Sequence, residues 1–137
     1  NTSIKSLPMS SYVTDTQALV KFMMGQKVIN DAAHQAYLSA DNGDDTIIIP
    51  AVVITEVLYL FEKNRIEIGL LQTEDLMESQ NYQFEPLSFE ILKTAAEIDD
   101  IPELHDRLIA ATARHLDLPL ITNDPVIGRS RFVQILQ

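Results

Sequence analysis

Apolar positions alternate between two modes along the chain. Short β-branched or aromatic runs (Tyr12 to Thr14, Thr46 to Ile49, Tyr82 to Leu87, Leu118 to Thr122, Phe132 to Leu136) are separated by longer segments with apolar residues every third or fourth position. The spacing predicts a helix over Thr16 to Met24, with Ala18, Leu19, Phe22 and Met23 on one face and Gly25 as its stop. Further helices are expected over Asn30 to Ala40, Ala51 to about Lys63, Ile66 to Ser79, Glu90 to Ile98 after an N-cap at Ser88, and His105 to Leu116. Pro50 breaks the second strand and is read into the first turn of the helix after it. Asp41 to Asp45 form a turn cluster, and Glu97 to Glu103 and Asp124 to Arg131 read as loops. Residues 1–10 are polar, carry Pro8 and read as a flexible leader to a single domain over 11–137. Strands alternating with helices predict an α/β fold with a parallel sheet covered on both faces.

Composition narrows the class. A chain of 137 residues, 46% hydrophobic and 22% charged, is one domain's worth of ordinary globular sequence. Its formal net charge of -10 excludes a protein that coats polyanions with a broadly basic surface. The absence of cysteine removes disulfides, thiolate metal sites and cysteine nucleophiles, and fits a cytoplasmic setting. No run reaches the roughly 18 apolar residues of a membrane span; the longest, Ile47 to Ile54, is interrupted by Pro50.

In open α/β sheets, sites lie outside the carboxyl ends of the strands. Asp15 ends the first strand and Asp124 follows the fourth by two residues, although a strand ending in an exposed acid is common by chance. Glu56 sits in the apolar run Val52 to Leu58, where an exposed helical stripe and a paired, functional carboxylate are both open readings. For Asp106, composition alone favours an N-cap or first-turn acid.

Four blocks in this order resemble the signature of the PIN-domain family: Val13 to Leu19, Ile54-Thr55-Glu56, His105 to Ala113, and Leu120-Ile121-Thr122-Asn123-Asp124. The third and fourth blocks together are the most specific part, and the branch most resembled is that of the VapC-type toxins of toxin–antitoxin pairs. The resemblance implies a three-layer α/β/α fold with four to five parallel strands in the order 3-2-1-4-5. It also implies an acidic cluster of Asp15, Glu56, Asp106 and Asp124 that is catalytic and holds Mg2+ or Mn2+, with Thr122 supporting it and Glu103 as a further acid one turn before Asp106. Hard oxygen donors without Cys or His suit those ions better than zinc. The implied function is a metal-dependent endoribonuclease, the toxin of a type II pair, with an RNA substrate, a cognate antitoxin and a homodimeric state. Alternatives are a PIN-like nuclease acting on structured DNA or in RNA processing, and a non-catalytic interaction module. A phosphoryl-accepting receiver fits poorly, because Asp15 stands without a second acid beside it and no lysine follows Arg114.

RNA must still approach an acidic chain. Arg107, Arg129 and Arg131 are the candidate contacts, with Lys21 and Lys27 weaker ones; ordinary surface charge is an equally good reading of each. His34, His105 and His115 lack a partner pattern and read as surface or packing residues. Assigning four of the twenty acids to a metal cluster leaves the remainder still acidic, so any attraction to RNA must be local.

Overall fold

The computed structural model describes residues 10–137, so the leader read over 1–10 lies, apart from Ser10, outside the described residues. Four parallel strands form one sheet: β1 (Ser11–Thr14), β2 (Thr46–Pro50), β3 (Tyr82–Glu85) and β4 (Leu120–Ile121), in the order β3-β2-β1-β4. Val13 is paired with Ile48 on one side and Leu120 on the other, and Ile49 with Phe84. Every residue of β2 is buried, as its unbroken Thr-Ile-Ile-Ile run requires of a strand covered on both faces. Where a fifth strand is expected over Phe132 to Leu136, a single parallel bridge joins Leu120 to Ile135. β4 is only two residues long, so it offers a neighbour little edge to extend along.

The helices are α1 (Thr16–Met23), α2 (Asp31–Asp41), α3 (Ala51–Glu62), α4 (Leu70–Met77), α5 (Phe89–Glu97), α6 (Leu104–Leu116) and the short α7 (Pro125–Gly128). Their starts follow capping chemistry. Asn30 accepts from Ala33 N–H at 2.9 Å and Ser88 from Ile91 N–H at 3.2 Å. Gly25, at φ +74, turns the chain away after α1. Pro50 closes β2 opposite Glu85 and takes the extended N-cap position of α3, not its first turn. α4 begins four residues later than the Ile66 expected: Gly69 is its extended N-cap, and Gln72 Oε1 accepts from Gly69 N–H at 2.9 Å. The Phe61 ring packs against Gly69 so closely that a Cβ there would stand 3.1 Å from it. The loop expected after Asp124 contains α7, with Pro125 in its opening turn.

Topology sets the site. The chain moves from β1 to β2 to β3 in one direction, then returns to place β4 on the other side of β1. Right-handed crossovers put the helices after β1 and β2 on one face and those after β3 on the other. The direction therefore reverses between β1 and β4, where the carboxyl ends of adjacent strands splay and leave a crevice. Beneath it lies a core of Val13, Leu19, Ile47, Ile49, Ile109 and Ile121, all buried. Among the described residues, no helix is long and apolar enough to cross a membrane.

Asp117 ends α6 in the left-handed region at φ 57, ψ 47, which costs an L residue with a Cβ about 1–2 kcal/mol. Glycine there also gains entropy in the unfolded chain, which offsets part of the benefit. Asp117→Gly is expected to stabilise the protein by about 0.5–1 kcal/mol in urea unfolding, and Asp117→Val to destabilise it.

Candidate functional site

Asp15 leaves β1 at the crevice and caps α1, its Oδ1 accepting from Ala18 N–H at 2.9 Å. Asp124 does the same after β4, its Oδ2 accepting from Ile127 N–H at 2.9 Å at the start of α7. Both are strand-to-helix junctions where an N-cap acid is favoured for local reasons. Those local reasons also fix each carboxylate at the sheet edge. Glu56 comes from the second turn of α3, and its Oε1 accepts the hydroxyl hydrogen of Thr16. Asp106 comes from the first turn of α6, and its carboxylate accepts no hydrogen bond among the described residues.

One cleft of about 410 Å3 is lined by Asp15, Glu56, Asp106 and Asp124, together with Thr16 and Asn123. The electrostatics agree with this grouping. Burial raises the Asp15 carboxyl above its ordinary value, and the charges of Asp124 and Glu56 add to the rise. Hydrogen bonds from Ala18 N–H and the Thr122 hydroxyl act against it. Asp106 is pushed up to about 6, by burial first and then by the charges of Asp124, Glu103, Glu56 and Asp15. Carboxyls raised by burial and by one another's charge are ones whose ionised form a divalent cation would favour. Among the described residues, no three acids or histidines converge closely enough to chelate an ion with their side chains in these positions. The donor set is carboxylate oxygen throughout, the chemistry that Mg2+ and Mn2+ take.

Thr122 is buried, its Oγ1 accepts from Asp124 N–H at 3.1 Å, and its hydroxyl lies close enough to Asp15 to act against the rise of that carboxyl. Glu103 stands apart from the cleft lining. It is the N-cap of α6: Oε1 accepts from Asp106 N–H at 2.8 Å and Oε2 pairs with His105 Nδ1 at 2.9 Å. Burial would raise its carboxyl, but those two bonds outweigh it and hold the group below its ordinary value. None of the three candidate arginines lines the cleft. Arg131 is paired with Asp99 at 3.0 Å and lies 4.8 Å over the Phe132 ring, while Asp100 accepts its backbone N–H at 2.9 Å. Arg107 is half-buried with its Nε unpartnered among the described residues, and Arg129 is exposed just beyond α7.

The sequence reading passed over Thr16. A hydroxyl directly after a strand-ending Asp, at the first position of a helix, is the signal that could have marked it. It also missed the layer below Asp15. There the Thr14 hydroxyl donates to the Asp15 carbonyl at 3.2 Å and stands 2.5 Å from the hydroxyl of fully buried Tyr37, which no local pattern relates to it.

A family model described as PIN domain matches residues 12–132. Among curated proteins, no sequence matches the chain. Solved structures that share its fold include three from bacterial toxin–antitoxin systems. A chain of VapBC2 from Rickettsia felis, bound to a DNA fragment from its promoter, is 20% identical with a TM-score of 0.68, covering 91% of this chain and 96% of that one. A chain of a toxin–antitoxin complex from Klebsiella pneumoniae is 18% identical with a TM-score of 0.64, covering 92% and 98%. VapC20 from Mycobacterium tuberculosis, a toxin that cleaves the sarcin–ricin loop, is 14% identical with a TM-score of 0.59, covering 92% and 99%.

A carboxyl raised from 3.8 to about 6 on folding costs stability while it is ionised. That cost is complete above pH 6 and is removed as the pH falls through 6 towards 3.8, because the folded state takes up the proton first. Asp106→Asn is therefore expected to melt at a higher temperature than the parent in EDTA at about pH 7.5, with the gap closing by about pH 4.5. Thermal scans by circular dichroism at both pH values check this; a variant that melts lower at neutral pH would show that Asp106 is not under repulsion.

Proposed function

The chain belongs to the PIN-domain family, and on that premise we propose that it is an Mg2+- or Mn2+-dependent endoribonuclease, the toxin of a type II toxin–antitoxin pair. The observation that carries the reading is the single cleft lined by Asp15, Glu56, Asp106 and Asp124 at the point where the sheet reverses direction. The toxin assignment draws support from the fold shared with the Rickettsia felis, Klebsiella pneumoniae and Mycobacterium tuberculosis proteins.

Asp15 and Asp124, at the ends of β1 and β4, would hold the ion, and Glu56 and Asp106 would complete its ligands from α3 and α6. A bound divalent ion supplies charge neutralisation and Lewis-acid polarisation of a phosphoryl oxygen. The chain's own part is positional. The Ala18 and Ile127 amides fix one oxygen each of Asp15 and Asp124, the Thr16 hydroxyl orients Glu56, and Thr122 sets the spacing of the two sheet-edge acids. Asp106 accepts no hydrogen bond at its carboxylate among the described residues, which leaves its oxygens available to the ion or to a water beside it. The reaction is hydrolysis: water attacks phosphorus, one phosphodiester P–O bond breaks, and the departing ribose oxygen takes a proton.

Exposed apolar side chains support a homodimer and an antitoxin surface. Leu71 is 73% exposed and Phe89 70%, and Phe61 and Leu70 stand exposed beside Gly69. The acidity left over outside the cleft suits a basic antitoxin segment.

Incubation of labelled RNA with Mg2+ or Mn2+ is expected to give endonucleolytic products that EDTA abolishes. Asp15→Asn and Asp106→Asn should each lose about a hundredfold or more in rate, the few kcal/mol that a metal ligand contributes. Equal cleavage by parent and both variants would overturn the site assignment, and cleavage of structured DNA alone would move the proposal to the DNA alternative. Added Mg2+ should also raise the melting temperature of the parent more than that of Asp106→Asn. Expression in cells is expected to arrest growth, with relief by the neighbouring gene separating a toxin from a processing nuclease.

A further inference from the structure

A second and larger hollow, about 620 Å3, opens between α1 and α3 directly beside the acid cleft, and the two share Thr16, Gln17 and Glu56. Its floor is apolar, built from Val20, Leu60 and Ile66, and Tyr59, 53% exposed, stands in its wall. Its charge differs in sign from the protein as a whole. Lys21 and Arg65 line it, and Lys63 Nζ lies 5.6 Å over the Tyr59 ring at its rim. Ion pairs among the described residues engage Lys27, His105 and Arg131, and none engages Lys21, Lys63 or Arg65. In a chain of net charge -10, two cations that make no ion pair among the described residues, Lys21 and Arg65, line a groove that shares Glu56 with the acid cleft.

We propose that this groove seats the single-stranded RNA segment adjoining the scissile phosphate, with a base against Tyr59 and the apolar floor and the neighbouring phosphates on Lys21 and Arg65. The inference rests on the nuclease reading and extends it to where the substrate lies. Single-stranded nucleic acid is held by this pairing of an aromatic or apolar surface for base faces with cations along the backbone. A duplex keeps its base faces stacked and has no use for the apolar floor. A basic peptide would meet like charge here, whereas a polyanion meets opposite charge. Continuity matters as much as composition: an RNA strand leaving the acid cleft past Glu56 enters the groove without crossing another element.

The test is fluorescence anisotropy of a labelled single-stranded RNA of about 12 nucleotides, with Ca2+ as the divalent ion and the RNA checked intact on a gel. The proteins are the full chain, the Lys21→Ala/Arg65→Ala double variant and Tyr59→Ala. The double variant is expected to bind about tenfold more weakly, with a salt-dependence slope shallower by about 1.4, since each phosphate contact on a single strand contributes about 0.7. Tyr59→Ala is expected to weaken binding about tenfold with the slope unchanged, as loss of one base-stacking surface does. Arg65 and Tyr59 are exposed and Lys21 half-buried, so the variants should melt with the parent, which circular dichroism checks. Unchanged affinity and slope in both variants, with the parent still binding RNA, would overturn the groove and leave the nuclease reading standing. A parent that neither binds nor cleaves RNA would overturn both. Variants that keep RNA but lose a peptide encoded by the neighbouring gene would assign the groove to a protein segment instead.

Discussion

Like charges repel, and four carboxylates in one cleft must be restrained by something other than their own preference. Here the restraint is the backbone. Asp15 and Asp124 each accept from a free amide in the first turn of the helix that follows β1 or β4, so the energy of helix capping holds them at the sheet edge. Glu56 and Asp106 arrive from α3 and α6, whose apolar faces are committed to the core. Burial first, and then the repulsion that remains, raises the carboxyls of Asp15 and Asp106. Much of the fold reads as a consequence of this constraint: β1 and β4 end where their aspartates are needed, and Thr122 braces the gap between them.

The parts legible in the sequence were those governed by local rules. Thr46 to Ile49 read as a buried strand, and Ser88 announced its helix through capping chemistry. The four acids were grouped by the family resemblance, whereas composition alone left Glu56 open and favoured a first-turn acid for Asp106. Longer-range outcomes were not legible. Ile66 to Gly69 has helical apolar spacing yet is not helical, because Gly69 is held beneath the Phe61 ring and capped by Gln72. The Phe132 to Leu136 run is β-prone, but a partner of only two residues leaves it one bridge. Arg131 has the composition of a phosphate contact, and only the fold shows Asp99 and Asp100 already beside it.

Net charge, the least local property of the chain, turns out to be a sum over surfaces of opposite character. The cleft is acidic and the adjoining groove cationic, and no helix separates them. A nucleic acid needs both. On the proposed reading its scissile phosphate would use cations held by the carboxylates, and its neighbouring phosphates the side-chain cations of the groove. Separating the two sets along one continuous surface avoids the pairing of Lys21 or Arg65 with the cluster that would disable both.

That two of the four acids are also helix caps makes stability and chemistry share atoms, and the choice of substitution decides which is probed. Asparagine at position 15 or 124 keeps a side-chain oxygen for the Ala18 or Ile127 amide and is as good an N-cap as aspartate, so it removes charge while leaving the helix start intact. Alanine removes both and costs about 1 kcal/mol of capping before any chemistry is touched. Asp106 is the opposite case, since its side chain caps nothing and Glu103 supplies the cap for its helix. Position 106 is therefore where electrostatics can be altered with least disturbance to the fold, and position 103 is where the helix can be weakened without entering the cleft.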